Sequence, residues 1–207
     1  SIAGDLSITA GNSDAPLGGE SWPVYASSPA VLAQAQDIKW TSTGTAMNLV
    51  EIRASNDGFN TSDVLIQSSV ANTPGQNTYS WQISDTSAPT TPIGSNWQIK
   101  VLNITAGTPA EEVISDGFNI RAGLNVSSHN STSDACEIGG SCTITWDTAG
   151  LVNDVILEYS TNGAGGPWTR MHGGGTLGSN PGTYAWSVPG ALSPGFNARY
   201  RVSDAVV

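Results

Sequence analysis

The chain has 207 residues, 12% of them charged and 38% hydrophobic, with 24 glycines and 11 prolines. Its formal net charge is −10 and its only lysines are Lys39 and Lys100, a balance that repels phosphate backbones and excludes a nucleic-acid partner. No stretch approaches the run of about 20 apolar residues that spans a bilayer, so no membrane span is expected. No basic-then-apolar leader is visible at Ser1, as expected of a mature secreted chain.

The first element in chain order is Leu6-Ser7-Ile8-Thr9-Ala10-Gly11, a pattern that returns at Phe118-Asn119-Ile120-Arg121-Ala122-Gly123. Next, Asp37-Ile38-Lys39-Trp40-Thr41-Ser42-Thr43-Gly44 returns as Thr143-Ile144-Thr145-Trp146-Asp147-Thr148-Ala149-Gly150. Val50-Glu51-Ile52-Arg53-Ala54-Ser55 returns, with a small shift, as Ile156-Leu157-Glu158-Tyr159-Ser160. Thr78-Tyr79-Ser80-Trp81-Gln82-Ile83 returns as Thr183-Tyr184-Ala185-Trp186-Ser187-Val188, and Trp97–Val101 as Ala198–Val202. Four blocks repeat in one order at a spacing of about 105 residues, the mark of a tandem structural repeat.

Each block alternates apolar and polar residues, the period of a half-buried strand. Between them stand turn-formers such as Asn56-Asp57-Gly58, Asn72-Thr73-Pro74-Gly75, Asn162-Gly163 and Asn180-Pro181-Gly182. The pattern predicts an all-β chain of two tandem immunoglobulin-like β-sandwich domains, over 1–121 and 122–207. Trp40, Trp81, Trp146 and Trp186 recur at matched strand positions and are expected in the two cores. Trp22, Trp97 and Trp168 have no repeat partner and are expected to be partly exposed at sheet edges.

At this point the residues resemble a known group. Gly18-Gly19-Glu20-Ser21-Trp22, Ile38–Gly44, Tyr79-Ser80-Trp81 and Arg201-Val202-Ser203-Asp204 look like tandem Ig-like repeats of bacterial surface proteins. That group is similar to the Ser-Thr-rich, GPI-anchored-type domain family of cell walls. The resemblance implies a cell-surface or cell-wall location and no catalysis. The second unit lacks the Gly-Gly-Glu-x-Trp motif.

The ends bear on assembly. The Phe118 segment reads as the closing strand of unit 1, whereas unit 2 runs through Arg199–Val202 without a closing segment of its own. An unclosed sandwich leaves unpaired backbone and apolar side chains. One solution is donor-strand complementation, with Leu6 and Ile8 of residues 1–11 filling the groove of the next subunit. Repeated head to tail, that contact builds a filament. The alternatives are a segment of a longer array and a simple first strand of unit 1.

Candidate chemistry is sparse. Cys136 and Cys142 flank Glu-Ile-Gly-Gly-Ser, a reversal short enough for a hairpin disulfide, which contributes about 2 kcal/mol and indicates an oxidising compartment. Two cysteines with no neighbouring histidine make a poor zinc site. His172-Gly173-Gly174-Gly175 resembles an esterase oxyanion loop, but the Gly-x-Ser-x-Gly nucleophile elbow is missing. His129 reads as solvent-facing. Glu51 and Glu158 occupy what reads as one repeat position in two separate units, so no acid/base pair is assigned. Asp14, Asp57 and Asp116 sit in turns without a recognised calcium spacing. No catalytic residue, metal or cofactor is assigned.

Sequons begin at Asn60, Asn103, Asn125 and Asn130, candidate sites for glycan. The expected function is a structural subunit of an extracellular filament or surface array. It would partner with its own copies in a homopolymer or with neighbouring repeats. The alternative is an adhesin or carbohydrate-binding module that meets surface glycans through exposed tryptophans.

Overall fold

The computed structural model describes residues 4–10, 21–23, 35–84, 93–129, 134–193 and 197–205, and every helix or strand among them is a strand. The chain divides into two compact units, residues 1–121 and 122–207. Each is a pair of sheets closed over its own apolar core, an immunoglobulin-like β-sandwich.

In unit 1, β1 (Leu6–Ala10), β3 (Gln36–Ser42) and β6 (Gly75–Trp81) form one sheet in the order β1-β3-β6. The second sheet runs β2 (Ser21–Pro23), β9 (Phe118–Arg121), β7 (Gly94–Asn103), β4 (Leu49–Ser55) and β5 (Val64–Ala71). A short strand, β8 (Glu112–Ile114), also pairs with β7. Strand β3 alternates buried and half-buried residues along its whole length, which sends Ile38 and Trp40 inward and Lys39 and Thr41 outward. The inward residues of β4 (Val50, Ile52, Ala54) and β7 (Trp97, Ile99, Val101) meet them in one core. Burial of each such Ile or Val contributes about 1.5–3 kcal/mol, so the period-two pattern alone drives the two sheets together.

In unit 2, β10 (Gly123–Val126), β11 (Ser141–Ala149) and β15 (Thr183–Ser187) make the first sheet. The second is centred on β12 (Asp154–Ser160), which pairs with β13 (Thr169–Arg170), β14 (Leu177–Gly178) and β16 (Arg199–Asp204). Since β16 pairs along nearly all of β12, the short β13 and β14 share the opposite edge.

The ladders match between units. Ile38 faces Tyr79 as Ile144 faces Tyr184, and Ile52 faces Val101 as Leu157 faces Val202. Two expectations change. The structural counterpart of β1 is β10, because Ile8 pairs with Trp40 and Val126 with Trp146. The Phe118 segment is instead β9, antiparallel to β7, and its likeness to Leu6–Ala10 reflects a shared strand pattern rather than a shared place. The glutamates also differ in position: Glu158 faces Arg201, whereas Glu51 faces Leu102.

Strand β1 belongs to its own unit. Leu6 is buried and Ile8 packs on the unit 1 core, so neither is held out toward a neighbouring subunit. Thr43 N–H donates to the Asp5 carbonyl (2.9 Å) and Asp5 N–H to Thr43 Oγ1 (2.8 Å). Gly4 lies so close to this turn that a Cβ would stand 1.9 Å from the Thr43 carbonyl oxygen. In this structure Leu6 and Ile8, expected as a donor strand, complete the sheet of their own unit, and withdrawing β1 would open the unit that it closes.

Candidate functional site

The matched tryptophans are all buried, and two are held by the same device. Trp40 Nε1 donates to Asn72 Oδ1 at 2.8 Å, and the Asn72 amide nitrogen donates to Ser42 Oγ (2.9 Å) and the Met47 carbonyl (2.6 Å). In unit 2, Trp146 Nε1 donates to Asn180 Oδ1 at 2.7 Å, and Asn180 donates to Thr148 Oγ1 at 3.0 Å. The hydroxyl stands two residues beyond the tryptophan in both strands. A buried indole N–H demands an acceptor, and the turn asparagine supplies it. Sequence reasoning found the tryptophans and missed the asparagines, because Asn beside Pro and Gly reads only as a turn. The available signal was that both recur at the same place in the repeat.

Two of the three unmatched tryptophans depart from expectation. Trp22 and Trp97 are each 2% exposed. Trp22 lies against Phe118 (centroids 4.4 Å apart) and edge-on to Trp81 (6.2 Å) because β2 runs parallel to β9. Trp168 alone is half-buried, and the Arg201 guanidinium sits 4.4 Å from its ring centre while its Nε and Nη2 hold Glu158 Oε2 at 2.8 and 2.7 Å. These three rings therefore form no exposed coplanar row for stacking on sugars.

Cys136 and Cys142 are joined in a disulfide. His129 is half-buried rather than solvent-facing, with Nε2 3.3 Å from Cys142 Sγ and its ring edge-on to Tyr200. The expectation of cysteines without a neighbouring histidine is thus corrected: the three ligand atoms lie within 4.8 Å of one another. With the sulfurs bonded to each other they form no open ligand set. His172 accepts the Leu157 N–H at Nε2 (3.2 Å), so the histidine of the glycine run pins a strand edge.

Asp57 organises the turn after β4. Its carboxylate accepts from Ser55 Oγ (2.6 Å) and from the backbone N–H groups of Asn60, Thr61 and Ser62 (3.0–3.2 Å). The Ser55 hydroxyl first, then Thr61, hold this carboxyl well below the usual range. Ser160 plays the Ser55 part in unit 2, accepting from Asn162 N–H. Asp116 is exposed, and Asp14 lies outside the described residues.

Of the sequons, Asn60 is exposed and Asn125 half-buried, while Asn130 lies outside the described residues. Asn103 is buried, its amide nitrogen donating to Thr108 Oγ1 (2.7 Å) and the Pro109 carbonyl (2.8 Å), an arrangement that leaves no room for a glycan.

The units differ at one edge. Strand β7 is paired on both sides, by β4 on one and by β8 and β9 on the other. Its counterpart β16 is paired by β12, and among the described residues no strand lies on its second edge. Ile99 and Val101 are 0% exposed, whereas Tyr200 and Val202, in the same ladder positions, stay half-buried.

The class defined by this geometry is the all-β immunoglobulin-like sandwich, present twice. Among solved structures, the chain is similar to the fibronectin(III)-like modules of Clostridium thermocellum CbhA, at 14% identity and a TM-score of 0.29, over 88% of this chain and 78% of that one. It is similar too to the FN1-FN3 domains of chicken CNTN1, at 11% identity and a TM-score of 0.26, over 90% of this chain and 59% of that one. No protein-family model and no curated protein matches the chain, so the Ser-Thr-rich GPI-anchored-type family gains no support.

Proposed function

We propose that the chain is a structural segment of a larger assembly on the cell exterior, a filament or surface array built from stiff sandwich units. The observation that supports this reading is the repetition of one core plan, down to the tryptophan–asparagine lock, within one chain. Repetition of a self-contained unit multiplies length and stiffness without adding a reactive centre. The disulfide in unit 2 favours an oxidising, extracellular setting. Its acidic, Ser/Thr/Asn-rich composition keeps such a segment soluble.

Two measurements test the reading. Pulled from its ends in a force microscope, the protein should give two separate unfolding events, one for each unit. On a glycan array the same preparation should give no saturable binding. Sugar binding that Trp168→Ala abolishes would replace the structural role with that of a carbohydrate-binding module.

A further inference from the structure

The cysteine hairpin of unit 2 has a third metal-ligating side chain packed against it. Cys142 enters β11 opposite Trp186 of β15, and Cys136 reaches it across a turn that the backbone closes by itself. Gly140 N–H donates to the Glu137 carbonyl (3.0 Å), Gly139 N–H to the Val188 carbonyl (3.1 Å) and Val188 N–H to the Gly140 carbonyl (2.9 Å). These bonds keep the two cysteines together whether or not their sulfurs are joined. His129 follows β10, on the other side of β11. Ser127 and Ser128 N–H donate to the Thr145 carbonyl (2.9 and 3.3 Å), and Thr145 N–H donates to Ser128 Oγ (2.9 Å). The chain is thus fixed just before the histidine. His129 itself has φ of 50°, a left-handed conformation uncommon outside glycine, and its Nε2 stands 3.3 Å from Cys142 Sγ.

We propose that Cys136, Cys142 and His129 form a thiol-gated Zn2+ site, closed while the sulfurs are bonded to each other and open once they are reduced. Two thiolates and a neutral imidazole are the soft donor set that Zn2+ takes; they cancel its charge and leave one position for water. Around a tetrahedral Zn2+ a sulfur and an imidazole nitrogen stand about 3.5 Å apart, and two sulfurs about 3.8 Å. The first spacing is already close to that between Cys142 and His129, and the three donor atoms lie within 4.8 Å of one another. Rotation of the cysteine side chains therefore completes the site without moving a strand. Opening it takes two electrons, which a dithiol supplies. A thiolate of the dithiol attacks Cys136 Sγ, the more exposed sulfur, forming a mixed disulfide and releasing Cys142 as thiolate. The second thiol of the reagent resolves the mixed disulfide, leaving as a cyclic disulfide and freeing Cys136. The dithiol is oxidised, the cysteines are reduced, and its two protons end in solvent when Zn2+ binds both thiolates. The cross-link of unit 2 then exists in two forms, covalent in an oxidising setting and metal-held in a reducing one.

The test uses the full chain, reduced without air by a water-soluble phosphine and titrated with Co2+ as a coloured stand-in for Zn2+. The reduced protein should take up one Co2+ per chain with a thiolate-to-cobalt absorption and the visible bands of a tetrahedral site, and Zn2+ should bleach both. The oxidised protein should stay colourless. Zn2+ should also raise the melting temperature of reduced unit 2 and leave that of unit 1 fixed. His129→Ala, shown by calorimetry of its oxidised form to fold in both units, should bind about tenfold more weakly or worse once reduced. His129→Cys, which restores a third donor, should recover the binding. A reduced chain without the tetrahedral spectrum would overturn the proposal, whether or not unit 2 stays folded. Undiminished binding by His129→Ala would overturn it too, leaving a bare pair of thiolates, and so would one ion shared between two chains, as read by light scattering. None of these results bears on the structural role, which the force and glycan measurements decide separately.

Discussion

At the residue scale the determining interaction is the indole N–H held by a turn side chain. Asn72 closes three hydrogen bonds around Trp40, so Asn72→Ala leaves a buried donor unpaired. That substitution should cost unit 1 about 1–3 kcal/mol, and Asn180→Ala should weaken unit 2 in the same sense, each read from the urea midpoint of its unit. The alternation of Ile38 and Trp40 made the tryptophans legible in the sequence. The asparagine acceptor was not, because its contact spans 32 positions and depends on a closed sandwich. Asp57 gives a second expectation. Its folded pKa lies below the ordinary carboxylate value, so its contribution is complete above about pH 4 and is lost only as the pH falls through the lower folded value. In an NMR titration its carboxyl signal should hold steady down to about pH 3. In Asp57→Ala, the amides of Asn60, Thr61 and Ser62 should exchange faster.

At the element scale, strand period and order were legible where a block recurs. Edge strands were not. Leu6–Ala10 and Phe118–Arg121 share an alternation, yet one pairs with β3 and the other with β7, a choice made by turns and packing. Trp22 was expected to be partly exposed because its three-residue strand has no copy in unit 2, and a parallel pairing with β9 is invisible to local pattern. The cysteine hairpin leading into β11 was legible because a separation of six positions, with Gly-Gly between, constrains the sulfurs by itself. Reduction, or Cys136→Ser with Cys142→Ser, should lower the stability of unit 2 by about 2 kcal/mol and leave unit 1 unchanged, as differential scanning calorimetry would resolve.

At the scale of the whole molecule, two cores of the same plan close to different extents. Each unit buries its own apolar residues, so the molecule should give two separate unfolding events under force. The division into two sandwiches followed from the repeat, whereas the absence of a sugar-stacking row depended on the burial of Trp22 and Trp97.

Among the described residues, the side of β16 away from β12 is unpaired, whereas β7 is paired on both sides. Amide hydrogens along a singly paired strand are renewed from solvent sooner than those of a doubly paired one, so the second unit should loosen from β16 before the first loosens from β7.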